Sequence, residues 1–135
     1  MENCKFCKLI RWEIPAWIVY EEENVIAFLP KEVEVYGHTL VVPKKHYADL
    51  YDIPYETLAD ISRISKMLTI WYKEKINATG MNLMHASGID GEQSVYHFHM
   101  HLLPRFKDDG LHTRPTLPQI DVDKDELLKK IQIGG

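Results

Sequence analysis

Three histidines at every second position constrain this chain more than any other feature. They sit in Val95-Tyr96-His97-Phe98-His99-Met100-His101-Leu102-Leu103-Pro104. Side chains of an extended strand alternate between two faces, so the pattern separates two sets. Phe98, Met100 and Leu102 take one face, suited to a core, while His97, His99 and His101 line the other. At a rise of ~3.4 Å per residue, each imidazole stands about 7 Å from the next. A lone histidine on a strand is most often structural. Three in strict alternation, beside a glycine-containing turn and Gln93-Ser94, point to chemistry. Two chemistries fit. His97 and His99, two positions apart, can share a metal ion and leave a position for water. Alternatively, one neutral imidazole attacks phosphorus while its neighbours donate hydrogen bonds to the phosphoryl oxygens. The stripe contains no carboxylate, and Asp90 and Glu92 lie across the turn. At this level both readings stay open.

The remaining chain supplies a sheet for that strand. Residues 4–12 read as a short helix ending near Ile14-Pro15. Runs 17–20 and 25–29 are β-rich and separated by the acidic turn 21–24, which predicts a hairpin. A loop over 30–37 leads to a strand at 39–42, stopped by Pro43. From Pro54 to about Ile76, Leu58, Ile61, Ile64, Leu68 and Trp71 recur at helical spacing, predicting one long amphipathic helix with proline in its first turn. Strands at 81–86 and 95–104 flank the turn Ser87-Gly88-Ile89-Asp90-Gly91. A last short helix is expected from Asp123, with Glu126 completing a capping box. This order predicts the α+β class with a five-stranded antiparallel sheet. At 135 residues the chain fits one domain over 1–135.

Composition removes several classes. Hydrophobic residues at 45% and charged residues at 27% exclude a disordered, collagenous or coiled-coil chain. Sixteen basic against twenty acidic residues give a net charge of −4, without the concentrated basic surface that nucleic acid requires. No apolar run approaches the ~18 residues of a membrane span. The N-terminal residues lack an apolar signal core, so a cytoplasmic location is expected. Cys4 and Cys7 close too small a loop to staple a fold, so the pair points to metal or redox chemistry. No thioredoxin-like βαβ order surrounds them, and there is no glycine-rich nucleotide loop of the Walker or Rossmann type.

Gln93-Ser94-Val95-Tyr96-His97-Phe98-His99-Met100-His101 resembles the signature of the histidine triad (HIT) family. The likeness continues through Cys4-Lys5-Phe6-Cys7-Lys8-Leu9-Ile10, Glu13-Ile14-Pro15, Ala27-Phe28-Leu29 and Gly37-His38-Thr39-Leu40-Val41-Val42-Pro43-Lys44-Lys45-His46, covering about residues 4–105 in the family's order. The resemblance implies a homodimeric α+β protein, with a tail over 107–135 that varies within the family, that binds an adenosine-type purine nucleotide and attacks it at the α-phosphate.

Position by position, the resemblance makes His99 the nucleophile, forming a nucleotidyl-histidine that water then hydrolyses. A backbone carbonyl on its Nδ1 would leave Nε2 free to attack. His101 and Ser94 would hold phosphate oxygens and assist the leaving group, beside the Val95 backbone N–H, and Gln93 belongs to the same nucleotide-binding run. His38 would join the network behind the nucleophile. Phe6, Leu9, Phe28 and Leu29 would form an apolar slot for the base. In the zinc-containing branch, Cys4, Cys7, His46 and His97 would close a structural zinc site. Three departures stand out. Pro30 occupies the place of an aspartate that holds the ribose, Glu92 replaces a common glycine, and His85 or Ala86 falls where an asparagine is usual. The expected function is a nucleotide hydrolase acting on a nucleoside phosphoramidate or dinucleoside polyphosphate, and the alternative is a non-catalytic nucleotide sensor.

Overall fold

The computed structural model describes residues 3–134. A short helix α1 (Lys5–Ile10) precedes the hairpin β1 (Trp17–Glu21) and β2 (Val25–Leu29), then β3 (Thr39–Pro43). The long helix α2 (Tyr55–Lys75) follows, then β4 (Gly80–Met84), β5 (Met100–Arg105) and α3 (Lys124–Ile131). The strands form one antiparallel sheet in the order β1-β2-β3-β5-β4.

Both faces of the central strands are covered, and the period of two sorts their side chains. Val25, Ala27, Val41 and Leu102 pack with Ile61, Ile64 and Leu68 of α2. Ile26, Phe28, Leu40 and Val42 point the other way, against Phe6 and Leu9 of α1. Phe98 and Met100 join the α2 side, as the alternation requires. The histidine face is therefore the α1 face of the sheet.

Local details differ from the expectations. The strand expected over 95–104 pairs only from Met100, and residues 95–99 approach it without ladder partners. The Phe98 N–H instead donates to the Tyr47 carbonyl at 2.7 Å. The strand expected over 81–86 stops at Met84, so His85 and Ala86 lie beyond the ladder. Pro54 is the N-cap of α2 rather than a residue of its first turn. Trp71 is 49% exposed, whereas Tyr72 is buried. Tyr72 lies four residues after Leu68 on the same helical face, and its hydroxyl meets Thr39 Oγ1 at 2.5 Å. At α3, Asp123 accepts from the Asp125 and Glu126 amides, while the Glu126 carboxylate pairs with Lys129. No side chain of α3 is buried.

Candidate active site and metal site

The first site gathers residues from three distant segments. Cys4 is the N-cap of α1, and its sulfur accepts from the Cys7 N–H. Cys4 Sγ lies 3.4 Å from His97 Nδ1, and Cys7 Sγ lies 3.4 Å from His46 Nδ1 and 3.5 Å from His97 Nδ1. The two Nδ1 atoms are 3.2 Å apart, and the four ligand atoms all lie within 4.8 Å of one another. Four donors bound tetrahedrally at ~2.0–2.3 Å would be about 3.3–3.8 Å apart, close to the four separations of 3.2–3.5 Å given above. His97 Nε2–H donates to the Pro43 carbonyl at 2.8 Å, which leaves Nδ1 as the ligating atom. Burial, followed by the adjacent Cys4, pushes the Cys7 thiol up. A cation between the sulfurs removes that penalty, so these four residues can hold a metal ion.

The second site is a cleft of about 790 Å³ on the α1 face. His99, His101 and His38 stand at its wall, with Ser94 and Val95 beside them. His99 Nδ1–H donates to the His97 carbonyl at 2.9 Å, so Nε2 carries a lone pair. Burial is the main cause that pushes His99 down to about 4, which keeps it neutral near pH 7. The ring of Phe6 meets His99 edge-on with centroids 5.3 Å apart.

His101 has the opposite tautomer. The Glu34 N–H donates to His38 Nδ1 at 3.2 Å, so neutral His38 carries its proton on Nε2. That Nε2–H donates to His101 Nδ1 at 3.0 Å, leaving the His101 proton on Nε2. Burial holds both His38 and His101 below the usual histidine range. One imidazole of the cleft thus offers a lone pair and its neighbour an N–H, with ring centroids 4.9 Å apart.

Phe6, Leu9, Phe28 and Leu29 all line the cleft, and the first three are also buried in the sheet's α1-side core. Gln93 is used differently from the expectation. Its amide is buried, accepts from the Gly88 N–H, and donates to the Ala48 and Val95 carbonyls. It shapes the loop under Ser94 and does not line the cleft. His97 and His99 do not share an ion position, because His97 Nδ1 turns to the cysteines while His99 Nδ1 is bound to a carbonyl. Glu92 is exposed and has φ +65°, a conformation in which glycine is at ease. Pro30 and Glu32 both line the cleft.

Sequence reasoning missed Trp17, Ile14 and Lys5 in the cleft lining. Trp17 pairs with Leu29 because the hairpin register shifts between Ile18 and Tyr20. A bulge of this kind moves every later side chain by one position, and the β-rich pattern carries no signal for it.

Comparison with known proteins agrees with this geometry. The HIT domain model matches residues 11–108. An uncharacterised HIT-like protein of Methanocaldococcus jannaschii is 40% identical over 129 residues, covering 96% of this chain and 98% of its own. The adenosine 5'-monophosphoramidase of Saccharomyces cerevisiae is 36% identical over 135 residues, covering 96% and 83%. A zinc-bound histidine triad family protein from Mycobacterium smegmatis superposes with a TM-score of 0.80 at 34% identity, covering 93% and 87%. The chain belongs to the HIT family.

Proposed function

We propose that this protein hydrolyses a nucleoside phosphoramidate or a related dinucleoside polyphosphate at the α-phosphorus, with an adenosine-type group as the nucleotide. The observation that carries the reading is the pair of opposite tautomers in one cleft: a lone pair on His99 Nε2 beside an N–H on His101 Nε2. The likeness to an adenosine 5'-monophosphoramidase supports the phosphoramidate.

In this reading the base lies against Phe6, Leu9, Phe28 and Leu29, and the Ser94 hydroxyl and Val95 N–H hold phosphate oxygens. His99 Nε2 forms a bond to phosphorus as the phosphorus–nitrogen bond to the leaving amine breaks. The leaving nitrogen accepts a hydrogen bond from His101 Nε2–H and takes a proton from solvent water, so that it departs as the neutral amine. The His97 carbonyl, bound to His99 Nδ1–H, stabilises the positive charge that the ring acquires. Water then attacks phosphorus as the bond from phosphorus to His99 Nε2 breaks, loses a proton to solvent and gives the nucleoside monophosphate, leaving both rings as they began. The Cys4, Cys7, His46 and His97 set, with two sulfur and two nitrogen donors, suits zinc in a closed structural role. A homodimer is part of the same proposal.

The test is turnover of an adenosine phosphoramidate carrying a fluorogenic amine, by the parent and by His99→Ala. Turnover by the parent and none by a folded variant supports the mechanism. Turnover retained in the variant overturns it. No turnover by either, with AMP still bound, replaces it with the nucleotide-sensor reading.

A further inference from the structure

Resting on that reaction, we propose that His85 is a positioning residue that fixes the main chain of the nucleophile His99. The ladder ends at this point of the sheet. β5 begins at Met100 and β4 stops at Met84, with Met84 paired to His101. A backbone carbonyl just outside a ladder needs a partner from elsewhere. For His99 that partner is a side chain, as His85 Nδ1–H donates to the His99 carbonyl at 3.0 Å.

The His85 ring is itself held on three sides. Its face stacks on Phe98 with centroids 4.3 Å apart and planes 24° from parallel. Its Nε2 accepts from the Ser87 hydroxyl at 2.5 Å. Ser87 Oγ in turn accepts from the Leu50 N–H at 2.9 Å. A carbonyl only accepts, which places a proton on His85 Nδ1, and an amide N–H only donates, which makes Ser87 Oγ the acceptor from Leu50. His85 is therefore an Nδ1–H donor, joining the loop around Leu50 to the carbonyl of His99.

The ring of His99 is oriented from one side by the His97 carbonyl on its Nδ1 and from the other by this clamp on its own backbone. Displacing a reacting atom by about 1 Å can cost on the order of 100-fold in rate. His85 lies outside the residues that line the cleft, so its contribution belongs to kcat rather than to nucleotide binding.

Three variants test this with the fluorogenic phosphoramidate and with AMP binding by calorimetry. His85→Ala is expected to lower kcat by about 10- to 100-fold, with KM and the AMP Kd within about twofold of the parent. His85→Asn places an amide N–H where Nδ1 stood and is expected to restore most of kcat. An unchanged kcat in His85→Ala, or no recovery in His85→Asn, overturns the proposal. If His85→Ala does not fold, Ser87→Ala reads the same link. A few-fold loss of kcat at constant KM supports it, and no change overturns it. Should the parent itself show no turnover, the proposed reaction fails, and ¹⁵N-histidine NMR decides the positioning role separately. A single Nδ1-protonated pattern for His99, lost in His85→Ala and regained in His85→Asn, supports it. The same pattern in all three overturns it.

Discussion

Removing the zinc proposed for Cys4, Cys7, His46 and His97 should open one end of the cleft while leaving the sheet intact. The six-residue helix α1 is too short to hold itself in water. Fixing its residues costs roughly 9 kcal/mol at ~1–2 kcal/mol each. Against this, Phe6 and Leu9 are 5% and 8% exposed, and their burial contributes about 5 kcal/mol together. Backbone hydrogen bonds, such as those from Lys8 to Cys4 and from Arg11 to Cys7, add about 1 kcal/mol net apiece. The helix thus sits within a few kcal/mol of balance. Structural zinc in small domains supplies on the order of 10 kcal/mol, enough to decide the outcome. After chelation, the amides of residues 5–10 should exchange at least 100-fold faster, while those of β2 and β3 stay protected. Because Phe6 and Leu9 line the cleft, AMP affinity should fall by about 5- to 150-fold, the ~1–3 kcal/mol of a lost stacking surface. Hydrogen exchange followed by mass spectrometry and AMP calorimetry, before and after chelation, are the assays. Unchanged protection of residues 5–10 in fully metal-free protein would refute the reasoning.

Other predictions concern protons, backbone space and the cleft's indole. His38, His99 and His101 all take protons less readily in the fold than in the unfolded chain, chiefly through burial. For His99, between pH 6.5 and about 4 the unfolded chain binds more protons, so its contribution is full above that range and falls with acid by up to about 1.4 kcal/mol per pH unit, and His38 and His101 act in the same direction. Urea unfolding at pH 7.5 and 5.5 checks this, and His38→Gln should flatten the slope. Gly91→Ala would place a Cβ 2.5 Å from the Ser87 carbonyl oxygen. It should cost about 1–3 kcal/mol and disturb the loop that carries Ser94, seen as a lower Tm and reduced turnover. Trp17 is 57% exposed and lines the cleft. AMP should quench its fluorescence and ribose 5-phosphate should not, with the AMP signal lost in Trp17→Phe.

Much of the site was legible because its spacing is local. Alternation separated Phe98, Met100 and Leu102 from the three histidines, and those apolar residues do join the core on the α2 side. The Cys4–Cys7 spacing pointed to metal or redox chemistry, and the two sulfurs do lie within reach of two imidazoles. The edges of elements were less legible. β5 begins five residues later than the pattern predicts, because the Phe98 amide finds Tyr47 instead of a neighbouring strand. Gln93 carries a polar amide that the family resemblance assigns to the nucleotide-binding run, and the fold gives it the Gly88, Ala48 and Val95 backbones as partners.

Periodicity and short spacings determine which residues share a face, and they act over a few positions. That was sufficient for the antiparallel α+β plan, the histidine face and the paired cysteines. The tertiary structure decided what each histidine does. His97 turns to the cysteines, His99 is left with a lone pair, and His101 receives its proton arrangement from His38, 63 residues away. The physical reason is that an imidazole has two nitrogens whose roles are set by their partners. Those partners come from segments that only the folded sheet brings together.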